Sequence, residues 1–169
     1  MKTEEKVINA LISLKEGDRF FNEDNYEKSI ASYEKALKLS KSIPANELFD
    51  HPGFEASCQA GLSGSFGRLG RHQESLQASE AALVFYDRFG DMYLAETGKW
   101  MMATVNKGSA LAMLGNLKEA LEIFNHAKEM LSKRNMNTLE NQVWIQMLDQ
   151  NFETVKDLLK NAKKSWWKR

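Results

Sequence analysis

The chain has 169 residues but one cysteine, Cys58, and two prolines, Pro44 and Pro52. A lone cysteine closes no internal disulfide, which fits a reducing, cytoplasmic setting. So few helix breakers leave a composition rich in helix formers. Charge of neither sign is in excess, since Lys+Arg and Asp+Glu both number 23. A nucleic-acid-binding domain is usually marked by a basic surplus, and there is none here. No run approaches the ~18 apolar residues of a membrane span. The N-terminal stretch MKTEEKVINALISLKEGD carries Glu4 and Glu5 and precedes no small-residue cleavage site, so it is not read as a signal peptide. The chain is expected to be whole, soluble and cytoplasmic, without stable membrane insertion. β-Branched alternation between turn signals is also missing, which argues against strands.

What is present is a repeat. The segments DNYEKSIASYEKALKL (24–39), GRHQESLQASEAALVF (70–85), GNLKEALEIFNHAKEM (115–130) and QNFETVKDLLKNAKKS (150–165) align with one another. Each has a larger residue near its start: Tyr26, His72, Leu117 or Phe152. Three positions on stands Ser29, Ser75, Ala120 or Val155. An alanine recurs at Ala36, Ala82, Ala127 and Ala162. Apolar residues fall at helical spacing, as in Tyr26, Ile30, Tyr33, Ala36 and Leu37. Another helical stretch precedes each segment, at 5–22, about 54–69, about 95–114 and 139–149. The sequence therefore predicts four helix–turn–helix units, spanning approximately 3–42, 52–89, 95–133 and 137–167 of one domain covering 1–169.

This pattern resembles the tetratricopeptide repeat (TPR). Unit one fits through Gly17, Phe20, Tyr26, Ile30, Tyr33 and Ala36, and unit three through Gly108, Leu111, Gly115, Ala120, Phe124 and Ala127. Unit two is looser, with Ser63 and Ser79 where a glycine and an aromatic are usual. Unit four is degenerate, as capping repeats often are. The resemblance implies an all-α, right-handed superhelix of about four units with a degenerate C-terminal cap. The segment FDHPGFEASCQAGL (49–62) also looks like one in a small group of bacterial TPR-like proteins of no assigned function. Units exceed the usual repeat length at 40–53 and 87–98. Within the first of these insertions, either Pro52 is the first helical residue with His51 as cap, or a longer helix from Pro44 is kinked at Pro52.

Glycines 61, 64, 67 and 70 recur at every third position. With no preceding strand and no GK[ST], they do not form a phosphate loop. Each helical glycine costs ~1 kcal/mol relative to alanine, so the series implies close approach or a face left open. Gly70 is read as a turn and Gly61 as a packing residue. In the TPR register Gly64 and Gly67 fall on the concave face with Ser57 and Ala60, as a bare floor. Leu11, Leu14, Asp18, Phe21 and Asn22 join them from unit one, and Arg68 from unit two. Units three and four add Met102, Val105, Ser109, Ala112, Met113, Glu140, Trp144, Met147 and Leu148. The residues singled out for partner contact are Phe21, Asn22, Gly64, Gly67, Arg68, Met102, Val105, Met113 and Trp144.

The resemblance thus implies a scaffold without catalysis or cofactor, binding a protein or peptide in an apolar groove. The alternatives are a small-molecule or peptide-sensing module, or a homodimer whose groove is self-occupied, by a second copy or by the terminal helix. The positions with which other TPR domains grip a terminal carboxylate are here Leu14, Asp18, Gly61, Met102 and Asn106. They include no lysine, and Asp18 repels a carboxylate.

Candidates for chemistry are thin. His51 and Cys58 are seven residues apart; on one continuous helix that is two turns, too far for direct proton transfer, whereas with His51 as a cap the spacing leaves their distance open. Cys58 is read as a buried core residue. His51, His72 and His126 are scattered, so no zinc site is proposed. The tail KNAKKSWWKR (160–169) mixes lysines with Trp166 and Trp167. It reads either as a surface anchor for membrane or nucleic acid, or as the end of the helical stripe, with Trp166 capping the core and Trp167 exposed.

Overall fold

The computed structural model describes residues 2–89, 97–133 and 139–166, with side chains over 2–89, 98–132 and 142–162. Those residues form α1 (Thr3–Asn22), α2 (Tyr26–Ser40), α3 (His51–Arg68), α4 (His72–Phe89), α5 (Thr97–Met113), α6 (Leu117–Lys133) and α7 (Leu139–Trp166), and no strand.

The turns within the first three units are built alike. Asp24, Gly70 and Gly115 adopt left-handed backbone with φ of 56°, 73° and 90°. Around each, two backbone bonds close the preceding helix. Asn25 N donates to Phe20 O at 2.8 Å, Arg71 N to Phe66 O at 2.9 Å and Asn116 N to Leu111 O at 2.8 Å. Asp24, Gly70 and Gly115 N donate to the carbonyls of Phe21, Gly67 and Ala112, each at 3.1 Å. This is the Schellman termination, in which a left-handed residue satisfies the last carbonyls. The apolar residues at its start (Phe20, Phe66 and Leu111) are those of the repeat signature.

The fourth turn does not form. The expected helix–turn–helix at 137–167 is one helix, α7, of 28 residues. Gln150 stands where Gly70 and Gly115 stand, and Gln146 where Phe66 and Leu111 stand. The left-handed conformation is costly for a residue with a Cβ, and exposed Gln146 offers no apolar contact. The helix therefore runs on. Beyond α6, Leu159 and Ala162 face Gly115–Glu119 across a shallow cavity of about 490 Å³.

The start of α3 also differs from expectation. Asp50, not His51, is the cap: its Oδ1 accepts from Gly53 N at 3.1 Å. His51 and Pro52 lie in the first turn, where proline's missing N–H is harmless. No helix starts at Pro44. Residues 90–96 of the second insertion lie outside the described residues.

The odd-numbered helices touch in succession, α1–α3–α5–α7. Each even-numbered helix packs against the odd ones on either side, α2 on α1 and α3, α4 on α3 and α5, α6 on α5 and α7. The result is a two-layer superhelical stack. α3 sits at its centre and is buried nearly all round, with Gly53, Phe54, Ala56–Cys58 and Ala60–Phe66 all shielded. Its many small residues follow from that crowding. A Cβ on Gly17 would lie 2.6 Å from the Tyr33 ring, and one on Gly61 2.5 Å from Tyr33 Oη. Tyr33 of α2 is thus held between glycines of α1 and α3. In unit three Phe124 occupies the same position over Gly108. In unit two Ser79 replaces the aromatic, and Asn106 of α5 reaches across instead, donating to Ser63 Oγ at 3.0 Å. In the first two units the serine of the repeat signature latches the helix pair: Ser29 Oγ donates to Gly17 O at 2.9 Å and Ser75 Oγ to Ser63 O at 2.8 Å.

Candidate functional site

On the inner face, where α1, α3, α5 and α7 converge with the first turn of α4, lies a cavity of about 390 Å³. Of the nine residues singled out for contact, Phe21, Gly64, Gly67, Arg68, Val105 and Met113 line it, and Asn22, Met102 and Trp144 do not. Trp144 packs against the main core, and Met102 lies one turn before Val105. Gly64 is not bare floor. It is buried, and a Cβ there would meet Phe21 Cε2 at 3.0 Å and Asn106 Nδ2 at 3.4 Å. Gly67 is half-buried with only Ser75 Oγ nearby, at 3.3 Å. Ser57, Ala60 and Leu148, expected on the concave lining, are shielded by neighbouring helices.

The cavity gains residues that the register did not select: His72 and Ser75 of α4, Asn106 and Ala110 of α5, and Asn151 of α7. His72 and Ser75 enter from the first turn of α4, the neighbour of α3 and α5. Asn151 enters because α7 continues through 150. It then shares a stripe with Trp144 and Met147 at helical spacing, a signal visible in the sequence once the turn is withdrawn. The alternative of self-occupation by the terminal helix takes a different form. Among the described residues α7 supplies one wall, through Met147 and Asn151, and leaves the cavity open. The side chains of Glu140 and Trp166, and all of Trp167, lie outside the described residues.

A buried apolar depth and an exposed rim are distinct. Val105 is buried, whereas Met113 is 66% exposed and Arg68 is exposed. Phe21 is steadied by an edge-on contact with Tyr26, ring centres 5.6 Å apart. Tyr26 Oη donates to Asp24 Oδ1 at 2.5 Å. That bond is the main cause raising the Tyr26 pKa, with burial second and the Arg68 charge opposing. Deeper in the stack Tyr33 donates to Asp18 Oδ1 at 2.7 Å, and Lys99 of α5 pairs with the same carboxylate. The negative charge expected to repel a carboxylate at Asp18 is therefore countered from across the groove. Burial, then the Asp18 bond, pushes the Tyr33 phenol far above its ordinary range.

The residues weighed for catalysis are not assembled into a site. Cys58 is wholly shielded in a cluster with Ala10, Ala36, Ile43 and Phe54. His51 stacks edge-on against Phe49 at 4.8 Å, with its Nε2 buried and no hydrogen-bond partner for it among the described residues. Among the described residues no three His, Cys, Asp or Glu side chains gather as a metal-ligand set. Nor is any described helix long and apolar enough to cross a membrane.

Repeated helix pairs with Schellman turns, stacked so that their inner helices surround an open cavity, define a TPR-like helical-repeat protein. Within that class the chain belongs to the family described as Domain of Unknown Function (DUF3856), whose model matches residues 2–143. The match ends early in α7. Among solved structures, a TPR-like protein from Chlorobium tepidum is similar, at 28% identity and TM-score 0.83 over 92% of this chain and 99% of the other. The C-terminal TPR-containing domain of a Plasmodium falciparum FK506-binding protein follows at 22% identity and TM-score 0.69, covering 97% of each chain. The second TPR domain of human RPAP3, solved with an HSP70 peptide, aligns at 16% identity and TM-score 0.55 over 88% of this chain and 98% of the other. No curated protein matches the chain.

Proposed function

We propose that the protein is a non-catalytic, cytoplasmic scaffold whose inner cavity receives a segment of another protein. The observation that carries this reading is the cavity itself: an apolar depth at Val105, a rim of exposed Met113 and Arg68, and hydrogen-bonding groups between them. Such a mixture suits an extended or helical segment that buries one or two side chains. Methionines at 113 and 147 adapt to an irregular partner. Contacts are assigned to Phe21, Gly64, Gly67, Arg68, Val105 and Met113. Asn22, Met102 and Trp144, adjacent to or one turn from lining residues, serve a longer segment. A small ligand fits a volume of this size too, but the exposed rim favours a segment that continues beyond the cavity. RPAP3, of the same fold, carries a peptide in its solved complex, which supports the class of partner without identifying it.

The test compares proteins captured from the native host by the wild type, by Gly67→Phe, which plugs the cavity, and by Val84→Ser on the outer face of α4. Val84 is 78% exposed and remote from the inner layer. Partners held by the groove are lost with Gly67→Phe and kept with Val84→Ser. Retention by a folded Gly67→Phe protein refutes the reading.

A further inference from the structure

We infer that the groove selects a segment carrying a carboxylate side chain beside an apolar one, with Arg68 as the carboxylate's partner. This rests on the groove-binding reading above. Among the described residues the cavity is lined by one charged side chain, that of Arg68, and by no aspartate or glutamate. Arg68 is exposed at the last position of α3 and makes no ion pair among the described residues. Asp24, in the α1–α2 turn, accepts from the Tyr26 hydroxyl and forms no ion pair with Arg68. Arg68 thus stands beside an apolar depth at Val105 with its guanidinium available.

The chemistry separates a carboxylate from a phosphate. A guanidinium fork matches a single carboxylate through two parallel N–H bonds. A phosphate dianion is usually met by several cations, and Arg68 is the one arginine or lysine of the lining among the described residues. The site also differs from the positions at which other TPR domains hold a terminal carboxylate, none of which is basic here. Arg68 lies elsewhere, beside the α3–α4 turn. Val105, in the same lining, sets the second requirement, an apolar side chain near the acid.

The experiment uses the full chain and an array of short synthetic peptides. Each pairs one Leu, Met or Phe with a neighbouring Glu, Gln, Lys or phosphoserine on a neutral background. Hits are then measured in solution by fluorescence anisotropy. Glutamate peptides are expected to bind about tenfold tighter than their glutamine counterparts, the effect of one charge-assisted pair. Arg68→Gln removes that difference, and Arg68→Glu shifts preference to the lysine peptides. Gly67→Phe abolishes binding of all classes, and Ser109→Trp provides a second plug should Gly67→Phe fail to fold. Equal affinity for Glu and Gln, or a Glu preference that survives Arg68→Gln, overturns the selectivity while leaving the groove reading intact. Tighter binding of the phosphoserine peptides overturns the carboxylate assignment. Absence of any bound peptide, or unchanged binding by folded plugged variants, overturns both.

Discussion

At the scale of single residues, glycines of one sequence series have three different physical roles, and substitution separates them. Gly61→Ala drives a methyl into the Tyr33 ring, which cannot retreat because Gly17 lies against its other side and Asp18 holds its hydroxyl. A loss of ~3 kcal/mol, the upper range of overpacking, is expected in urea denaturation. Gly67→Ala meets only the Ser75 hydroxyl and is expected to gain ~0.5 kcal/mol from helix propensity. Gly64→Ala falls between them, since the half-buried Phe21 ring can swing toward the cavity. Tyr33 also makes a pH prediction. Its folded-state pKa is raised, by burial and then by the Asp18 bond, above the ordinary value of 10.0. The unfolded chain therefore releases this proton first as pH rises, and stability present below pH 10 falls above it. Tyr26, raised chiefly by Asp24, acts in the same sense. The urea midpoint is expected to drop steeply above that pH, and less steeply in Tyr33→Phe. Equal slopes would place the alkaline transition in other groups.

At the scale of elements, a helix ends where the sequence supplies both a left-handed residue and an apolar anchor four positions before it. Gly70→Ala and Gly115→Ala, at positive φ, are each expected to cost ~1–2 kcal/mol with little change in helix content by circular dichroism. Gln150→Gly supplies only half of the signal. It is expected to cost ~1 kcal/mol as a mid-helix glycine and to leave α7 continuous by amide NMR shifts. A turn at 150 in that variant would show that the anchor at 146 is dispensable. The same rule explains what was legible in the sequence. The pairs α1–α2, α3–α4 and α5–α6 follow from Tyr26, Gly70 and Gly115 with their alanines, because both turn elements are local. Unit four looked like the others through Phe152, Val155 and Ala162, which report only an amphipathic face. An apolar stripe is the same whether or not a turn precedes it, so the stripe alone misplaced a turn at 150. The cap of α3 was misread for a related reason. Asp50 and His51 both precede Pro52, and only the Asp50 carboxylate reaches the Gly53 amide. The cavity lining was legible where a single helix register defines it, at Phe21, Gly64, Gly67, Arg68, Val105 and Met113. It was not legible at His72 and Asn151, whose positions depend on how one helix follows another.

At the scale of the whole molecule, a helical-repeat stack is expected to hold together through neighbouring units only. This chain adds a longer tie. Asp18 of α1 receives the Tyr33 hydroxyl from α2 and the Lys99 ammonium from α5, so unit one is joined to unit three across the inner face of α3. Lys99 also lies 5.3 Å from the Tyr33 ring centre. The pair is partly open to solvent, with 18% exposure at Lys99 and 40% at Asp18, so screening limits its contribution to about 1 kcal/mol or less. That amount is small for the whole fold but large for the opening of one terminal unit. Lys99→Met removes the charge while keeping the aliphatic stem over Tyr33. Hydrogen exchange is then expected to quicken in α1 and α2 by up to roughly fivefold, the equivalent of ~1 kcal/mol. Amides of α3, buried nearly all round, are expected to remain the slowest, and those of α6 and α7 to be unchanged. Acceleration confined to α1 and α2 identifies Asp18–Lys99 as the clasp that holds the first unit over the groove, and with it the position of Phe21. Equal acceleration in all helices would mean that the stack opens as one cooperative body and that the clasp has no local role.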